Sequence, residues 1–277
     1  MLEHTLDRAE RLISPERLFT VVARDHLAYP EVRSQLRGRL SHTVVVQPAN
    51  RETGPGLLLP LTHLSLHNPN STVAVFPSDH FILQEDLFVS YVQQAFEEVE
   101  RYPSRILILG VEATNAEPEY GYIFPEDRYL DPESPAKRIK AFLEKPEAHV
   151  AAQAVSVGAI WNTMVMVFRP EVFLKLVALC APGLHSSFEM ISKALMAPDP
   201  FSVIEKIYRD MQPVNLSKDL LENFDAHARD QLFAICMKDL FWSDLGSESR
   251  ILSAMESFKY SDWDPVESQR EEVLWLR

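Results

Sequence analysis

Apolar residues along the chain switch between helical spacing and short continuous runs. In the opening segment they recur at spacings of four, three and four residues, at Leu2, Leu6, Ala9 and Ile13. This spacing predicts one face of a helix. The runs LFTVVA (18–23) and HTVVVQ (42–47) are rich in β-branched residues and are typical of short strands. The chain therefore begins with helical and extended elements in alternation.

The same alternation continues along the chain. Further helices are predicted over residues 28–40, 56–67, 85–101, 171–178, 186–197 and 247–257. Further strands are predicted over residues 71–76, 105–110, 137–145, 161–168 and 231–238. Strands joined by helical crossovers form mainly parallel sheets with helices on both faces, so the α/β class is expected. No linker divides the sequence, which predicts a single domain over residues 1–277, with 258–277 as a C-terminal tail.

Charge and composition exclude several classes of function. Lysine and arginine number 27 against 40 aspartates and glutamates, a net charge of −13, which argues against a nucleic-acid-binding surface. The longest uncharged apolar runs, such as GLLLPL, are far shorter than the roughly 20 residues of a membrane helix. The charged N-terminus does not resemble a signal peptide, and two cysteines, Cys180 and Cys236, indicate a reducing compartment. A cytoplasmic protein is expected.

Two loops carry an aspartate directly after an apolar run. Asp79 follows STVAVF in the sequence PSDH, and Asp244 follows QLFAICMK and an aromatic pair in FWSDLGS. Ligands of open α/β sheets bind at the carboxyl ends of strands, where such loops lie. Two carboxylates, completed by water and phosphate oxygens, are a common Mg²⁺ site. Each aspartate alone can equally be a turn or capping residue, so spacing leaves both interpretations open.

Five motifs in order extend this pattern: FPSDHFI (76–82), EYGYI (119–123), FLEKP (142–146), WNT (161–163) and WSDLGS (242–247). Together they resemble the sugar-phosphate nucleotidyltransferase family. The segment VVVQPANRETGPG (44–56) is similar to the mannose-1-phosphate guanylyltransferase branch. The likeness runs from the first helix to about residue 257. It implies a Rossmann-like, GT-A-like α/β domain that joins a sugar 1-phosphate to a nucleoside triphosphate, GTP in this branch, and releases pyrophosphate.

The resemblance also assigns roles to residues. Asp79 and Asp244 would hold Mg²⁺, and Lys145 would hold the sugar phosphate. The sugar hydroxyls would face Gly121, Glu144 and Asn162. The nucleotide side would be lined by Gln47, Arg51 and Thr53. A small ammonium suits a phosphate, and carboxylate and amide groups suit hydroxyls. Whether the protein forms a homo-oligomer is left open.

The chain departs from the family pattern at its start. The family has a first strand, a glycine-rich loop with an arginine and a proline-lysine segment before the helix that begins here at Leu2. This sequence lacks them and has only eight glycines. We therefore expect an apolar slot between neighbouring strands, weak activity, and a misassigned Met1 or a truncated gene. Glu52 and Thr163-Met164 also differ from the usual pattern, and no β-helical C-terminal domain is expected.

Three functional hypotheses follow. The first is a guanylyltransferase-like enzyme that makes GDP-mannose. The second is a non-catalytic sugar-phosphate-binding or regulatory paralogue that pairs with a complete homologue. The third is a metal-dependent hydrolase using Asp79, His80 and Asp244, which ranks last because no further His/Asp cluster occurs in the sequence.

Overall fold

The computed structural model describes residues 1–224 and 229–260. Its helices are α1 (Leu2–Glu10), α2 (Pro30–Gln35), α3 (Thr53–His67), α4 (Glu85–Arg101), α5 (Ala148–Ser156), α6 (Pro170–Cys180), α7 (Pro182–Leu195), α8 (Pro200–Asp210) and α9 (Glu248–Tyr260). Its strands are β1 (Thr20–Ala23), β2 (Val44–Gln47), β3 (Val73–Val75), β4 (Phe81–Ile82), β5 (Ile106–Glu112), β6 (Gly121–Pro125), β7 (Lys137–Glu144), β8 (Ile160–Phe168), β9 (Leu232–Met237) and β10 (Trp242–Ser243). From residue 261 onward, the tail expected at 258–277 lies outside the described residues.

A six-stranded sheet in the order β3-β8-β5-β9-β7-β6 forms the centre of the fold. Strand β8 lies between β3 and β5 and runs antiparallel to both, whereas β5 and β9 are parallel. Strand β7 is antiparallel to β9 and β6. Strands β3, β5, β6 and β9 therefore share one direction, as the prediction of a mainly parallel sheet requires. Most neighbouring pairs are nevertheless antiparallel, because β8 and β7 run the other way between them.

Apolar cores on both faces of this sheet confirm the α/β class. On β5, Ile106 and Ile108 pack into the core formed with α3, α6 and α7. The alternate residues Leu107 and Leu109 pack into the core formed with α4 and α5. Successive side chains of a strand point to opposite faces, so this fully apolar strand is buried on both. Within the described residues, no helix has the length and apolar character needed to cross a bilayer.

Two small sheets stand apart from the central one. Strands β1 and β2 pair in parallel with each other, and β4 pairs antiparallel with β10. In the part of the chain that the structure describes, β1 and β2 form no pairing with the six-stranded sheet. A gap between β1 and β3 is the apolar slot expected from the sequence.

Candidate functional site

The two predicted aspartate loops meet at one end of the β4–β10 pair. Strand β10 runs antiparallel to β4 and places Ser243 opposite Phe81. Asp244 follows β10 directly and Asp79 lies just before β4, so the pairing brings both residues to the same end. The Asp79 side chain is 74% exposed and that of Asp244 is 26% exposed. The structure thus places two accessible carboxylates on one edge, as the sequence predicts.

His80 lies beside these carboxylates as a largely buried, neutral ring. Its Nδ1 accepts a hydrogen bond from Trp242 Nε1 at 3.2 Å, which leaves the ring proton on Nε2, 3.9 Å from Asp79 Oδ1. Its carbonyl oxygen accepts from Arg8 Nη2 at 3.0 Å. Burial lowers the pKa of His80, although the charges of Asp79 and Asp244 oppose this shift. The histidine therefore supports the loop and is poorly placed to be the base of a hydrolase.

Asp244 has a cationic partner that sequence reasoning missed. Arg250 on α9 places its Nε 2.9 Å from Asp244 Oδ1 and Nη1 3.5 Å from Glu117 Oε1. Its guanidinium lies 5.0 Å from the centre of the Tyr120 ring, and its side chain is only 11% exposed. The Gly246 amide also donates to Asp244 Oδ1, at 3.0 Å. No motif spacing marks an arginine in the following helix, so only the fold reveals this contact.

Tyr120 connects the aspartate loops to β6. Its ring centre lies 5.0 Å from those of both Trp161 and Trp242. Burial raises the pKa of Tyr120 to about 12, and the nearby charge of Asp244 adds to the shift. The phenol therefore stays protonated at neutral pH. Because the Tyr120 carbonyl accepts the Lys145 amide at 3.2 Å, the residue also joins the end of β7 to this edge.

Three residues predicted to face a sugar converge next to Tyr120. Gly121 is the first residue of β6 and pairs with Glu144, the last residue of β7. A Cβ on Gly121 would lie 2.8 Å from Glu144 Oε2 and 3.4 Å from the Cβ of Asn162 on β8. Burial raises the pKa of Glu144, while Lys145 and a hydrogen bond with Ser217 oppose the shift. The structure therefore brings polar groups from three strands together around Gly121, and we call this cluster of Gly121, Glu144 and Asn162 the Gly121 pocket.

The contacts around Gly121 predict that Gly121→Ala destabilises the protein. The added methyl would meet Glu144 Oε2 at 2.8 Å, closer than real Cβ contacts, and Phe142 Cζ at 3.0 Å, tighter than most such contacts. Overpacking of this kind costs about 1–3 kcal/mol of unfolding free energy. Urea denaturation measures the change. Gly183→Ala is the matched control, because nothing lies within 4 Å of a Cβ at that position. Equal stability of the two variants would contradict the close packing.

Lys145 directly follows Glu144 in the sequence and has a strained backbone conformation. Its φ is +47°, in the left-handed region that side chains other than glycine seldom adopt. The residue is exposed, and its amide is held by Tyr120. Strain of this kind is often found at ligand sites.

The three residues predicted for the nucleotide side lie around the start of α3. Arg51 donates to the carbonyls of Tyr208 and Arg209 at the end of α8, at 2.7 and 2.8 Å. Thr53 Oγ1 accepts from the Leu216 amide at 2.8 Å. Leu216 begins the helical turn Leu216–Leu221, and the next residue, Ser217, donates from its Oγ to Met164 Sδ at 3.1 Å. The contact of Thr53 thus links the start of α3 to residues near the Gly121 pocket. The side chain of Arg51, in contrast, is already hydrogen-bonded to the end of α8.

Gln47 is the third residue of this group, and it has an unsatisfied polar atom. It ends β2 and is buried, and its Oε1 has no hydrogen-bond partner among the described residues. Its Nε2 would lie 3.4 Å from a Cβ on Gly56 in the first turn of α3. A buried carbonyl oxygen without a donor is costly, so a ligand donor would be favoured at this position.

The donor set at the aspartate loops suits a magnesium ion. Among the residues that the structure describes, no group of three or more His, Cys, Asp or Glu side chains is arranged to hold a metal. Mg²⁺ requires fewer protein ligands, because it keeps several waters and takes further oxygens from substrate phosphates. Asp79 and Asp244 therefore fit the ion. Arg250 would have to share or release the Asp244 carboxylate when the ion binds.

Comparisons with known proteins match this arrangement. A family model described as nucleotidyl transferase matches residues 1–260. The chain belongs to the nucleotidyl transferase family. The resemblance carried by the five motifs is thereby confirmed. Because the match begins at residue 1, it includes α1 as well as both aspartate loops.

Among curated relatives, this family member is 27% identical over 226 residues to the mannose-1-phosphate guanylyltransferase of Escherichia coli K12. That match covers 79% of this chain and 46% of the relative. It is 31% identical over 180 residues to the alginate biosynthesis protein AlgA of Pseudomonas putida, covering 62% of this chain and 36% of AlgA. The chain thus spans about half or less of the length of these relatives.

A solved structure confirms the GT-A-like, Rossmann-like fold. The structure of a mannose-1-phosphate geranyltransferase from Thermus thermophilus superposes with a TM-score of 0.77 at 24% identity. The match covers 92% of this chain and 68% of that one.

Proposed function

We propose that this chain is a sugar-phosphate nucleotidyltransferase domain that joins mannose 1-phosphate to GTP, with Mg²⁺ as its cofactor. A phosphate oxygen of the sugar 1-phosphate attacks the α-phosphorus of the triphosphate. The bond from that phosphorus to the bridging oxygen breaks, and pyrophosphate leaves with the bonding electrons. Membership of the family supports the reaction class, and the guanylyltransferase relatives support this substrate pair.

The observation that carries the proposal is the position of the Gly121 pocket beside the aspartate loops. Tyr120 contacts Trp242 on one side, and its chain neighbour Gly121 meets Glu144 and Asn162 on the other. A sugar in the pocket would thus present its phosphate to the two aspartates. Phosphoryl-group transfer depends mainly on such alignment and on charge neutralisation.

Each residue in this arrangement has a defined task. Glu144 and Asn162 bind and orient sugar hydroxyls, and the backbone at Gly121 faces the same hydroxyls. Lys145 holds the sugar phosphate. Asp79 and Asp244 would hold Mg²⁺, which supplies charge neutralisation on phosphate oxygens. A cytoplasmic location and any self-association stay predictions.

Product analysis tests the proposed reaction. The protein is incubated with mannose 1-phosphate, Mg²⁺ and each of the four common nucleoside triphosphates, and mass spectrometry measures the nucleotide sugar. GDP-mannose and pyrophosphate are expected in equal amounts. Binding of mannose 1-phosphate without any nucleotide sugar would favour the non-catalytic paralogue. Free phosphate as the sole product would favour the hydrolase.

Lys145→Ala is expected to weaken binding of mannose 1-phosphate about tenfold or more while leaving the fold intact. The substitution removes an exposed cation, and surface changes seldom alter stability by more than about 0.5 kcal/mol. Calorimetric titration measures the affinity. Lys140→Ala provides the control, because Lys140 is an exposed lysine of β7, the strand that ends just before Lys145. Unchanged affinity in Lys145→Ala would remove Lys145 from the site.

A further inference from the structure

Strand β8 contains a bulge directly after Asn162, one of the residues of the Gly121 pocket. The register with β5 shifts between Leu109 and Gly110, and the extra residues on β8 are Thr163 and Met164. Met164 has a φ of +58°, in the left-handed region that side chains other than glycine seldom adopt. Bulges of this kind often redirect a side chain beside an active site.

The bulge turns Met164 back onto the side chain of Asn162, which it contacts through two atoms. The Met164 amide donates to Asn162 Oδ1 at 2.9 Å, and Met164 Sδ accepts from Asn162 Nδ2 at 3.0 Å. The same sulfur accepts from Ser217 Oγ at 3.1 Å. Asn162 is 6% exposed and Ser217 is 5% exposed. One thioether therefore provides an acceptor for two buried donors.

The thioether is a replaceable partner for these donors. Sulfur is a weak hydrogen-bond acceptor, and the oxygen of a hydroxyl is a stronger one. The methionine side chain has three rotatable bonds, so it can move aside without a change of the backbone. A hydroxyl oxygen that takes the place of the sulfur thus forms stronger hydrogen bonds, and the sulfur can return when that hydroxyl is absent.

We propose that Met164 is a specificity-determining residue that makes the Gly121 pocket tolerant of deoxy sugars. The inference rests on the proposed binding of a sugar 1-phosphate in this pocket. When the ligand carries a hydroxyl beside Asn162, its oxygen replaces Met164 Sδ as the acceptor. When the ligand lacks that hydroxyl, the sulfur stays in place and the donors on Asn162 and Ser217 remain paired.

The expected consequence is a small difference in affinity between a sugar and its deoxy analogue. A site whose buried donors depend on a ligand hydroxyl rejects the analogue without it, because the donors are then left unpaired. Such rejection reaches about 10⁴- to 10⁵-fold in the strongest cases. With Met164 in place, the analogue loses only the difference between an oxygen and a sulfur acceptor.

NMR and calorimetric titration together test this inference. The ligands are mannose 1-phosphate and its 2-, 3-, 4- and 6-deoxy analogues, and the methionine methyl groups carry ¹³C. The Met164 signal is assigned by its loss in Met164→Leu. It should shift with mannose 1-phosphate and keep its unbound position with one analogue, which identifies the hydroxyl beside Asn162. That analogue should bind the wild type within about tenfold of mannose 1-phosphate.

Matched variants separate the acceptor from the size of the side chain. Met164→Leu keeps the volume but removes the acceptor, so the donors are paired only when mannose 1-phosphate is bound. Its preference for mannose 1-phosphate over the analogue should exceed that of the wild type by at least about tenfold. Met164→Gln supplies a carbonyl acceptor and should lower the preference again. Met166→Leu, the same change at a fully buried position of β8, is the control and should keep the wild-type preference.

The outcomes distinguish this inference from the proposed function. If mannose 1-phosphate binds with the same preference in the wild type, Met164→Leu and Met164→Gln, the inference is wrong and the proposed function stands. If mannose 1-phosphate does not bind the wild type, the proposed function fails and the inference fails with it. Should Met164→Leu not fold, Met164→Gln assigns the signal and the wild type decides the question. A wild-type preference far above tenfold, or a Met164 signal that shifts equally with all five ligands, would overturn the inference.

Discussion

Asp244→Asn is expected to lower the rate of nucleotide-sugar formation by at least about a hundredfold. The substitution removes one of the two carboxylates that would hold Mg²⁺, and metal stabilisation of phosphate charge contributes several kcal/mol to such reactions. Each 1.36 kcal/mol corresponds to about tenfold in rate. Initial rates of pyrophosphate release, measured over a range of Mg²⁺ concentrations, give the effect. The loss should be partly reversed by high Mg²⁺, because the metal would then bind more weakly.

The control for this experiment is Asp239→Asn, the same chemical change in the preceding loop. Asp239 is exposed and has a φ of +56°, a conformation that asparagine tolerates well. Its rate should match that of the wild type. Because Asp244 also pairs with Arg250, thermal unfolding must show that Asp244→Asn is folded at the assay temperature. A folded Asp244→Asn protein with an unchanged rate would exclude this carboxylate from the reaction.

The largest effect on stability is expected for Arg105→Met. Arg105 and Glu98 form a buried ion pair, with side chains 9% and 5% exposed. The guanidinium lies 3.7 Å from the ring centre of Tyr102 and 4.2 Å from that of Phe233, and its Nη1 donates to Ser134 Oγ at 3.1 Å. Loss of the arginine leaves the Glu98 carboxylate buried without its cation. Removing one member of a buried pair typically costs about 3–5 kcal/mol.

A double variant separates the charge effect from packing. Glu98→Gln combined with Arg105→Met leaves no uncompensated charge, so it should lose less free energy of unfolding than the sum of the two single variants. Arg101→Met is the exposed control, because Arg101 is 50% exposed and pairs with Glu133 at the surface. That pair should contribute less than about 1 kcal/mol. Chemical denaturation measures the free energy of unfolding of the two single variants, the double variant and Arg101→Met against the wild type. If the effects of Glu98→Gln and Arg105→Met were strictly additive, the buried-pair interpretation would be contradicted.

The sequence predicted most elements because their apolar patterns are strong. The β5 run and the amphipathic α4 were located within one or two residues. Helices α5 and α8 were missed. Helix α5 is rich in small residues in HVAAQAVS, where burial of Ala151 and Ala154 replaces a stripe of large apolar side chains. The direction of β8 carries no signal either, since its almost fully buried side chains look the same in parallel and antiparallel pairs.

In the candidate site, too, features of the local sequence could be predicted, whereas contacts that depend on packing could not. That Asp79 and Asp244 lie in loops after apolar runs was predictable from the sequence, whereas their role as possible metal ligands came only from the family resemblance. The contact of Asp244 with Arg250 was not predictable, because it depends on how α9 packs against β10. Arg51 illustrates the opposite case. A basic residue in a family motif suggested a ligand contact, yet here its side chain donates to carbonyls at the end of α8.

Crystals grown with mannose 1-phosphate and soaked in Mn²⁺ would test most directly whether the aspartate loops and the Gly121 pocket form one site. Anomalous diffraction locates the ion without reference to the substrate. One peak is expected between the carboxylates of Asp79 and Asp244, with a sugar phosphate oxygen among its ligands and the sugar hydroxyls on Glu144 and Asn162. A sugar phosphate bound in the pocket with no ion between the aspartates, and Asp244 still paired with Arg250, would contradict the account.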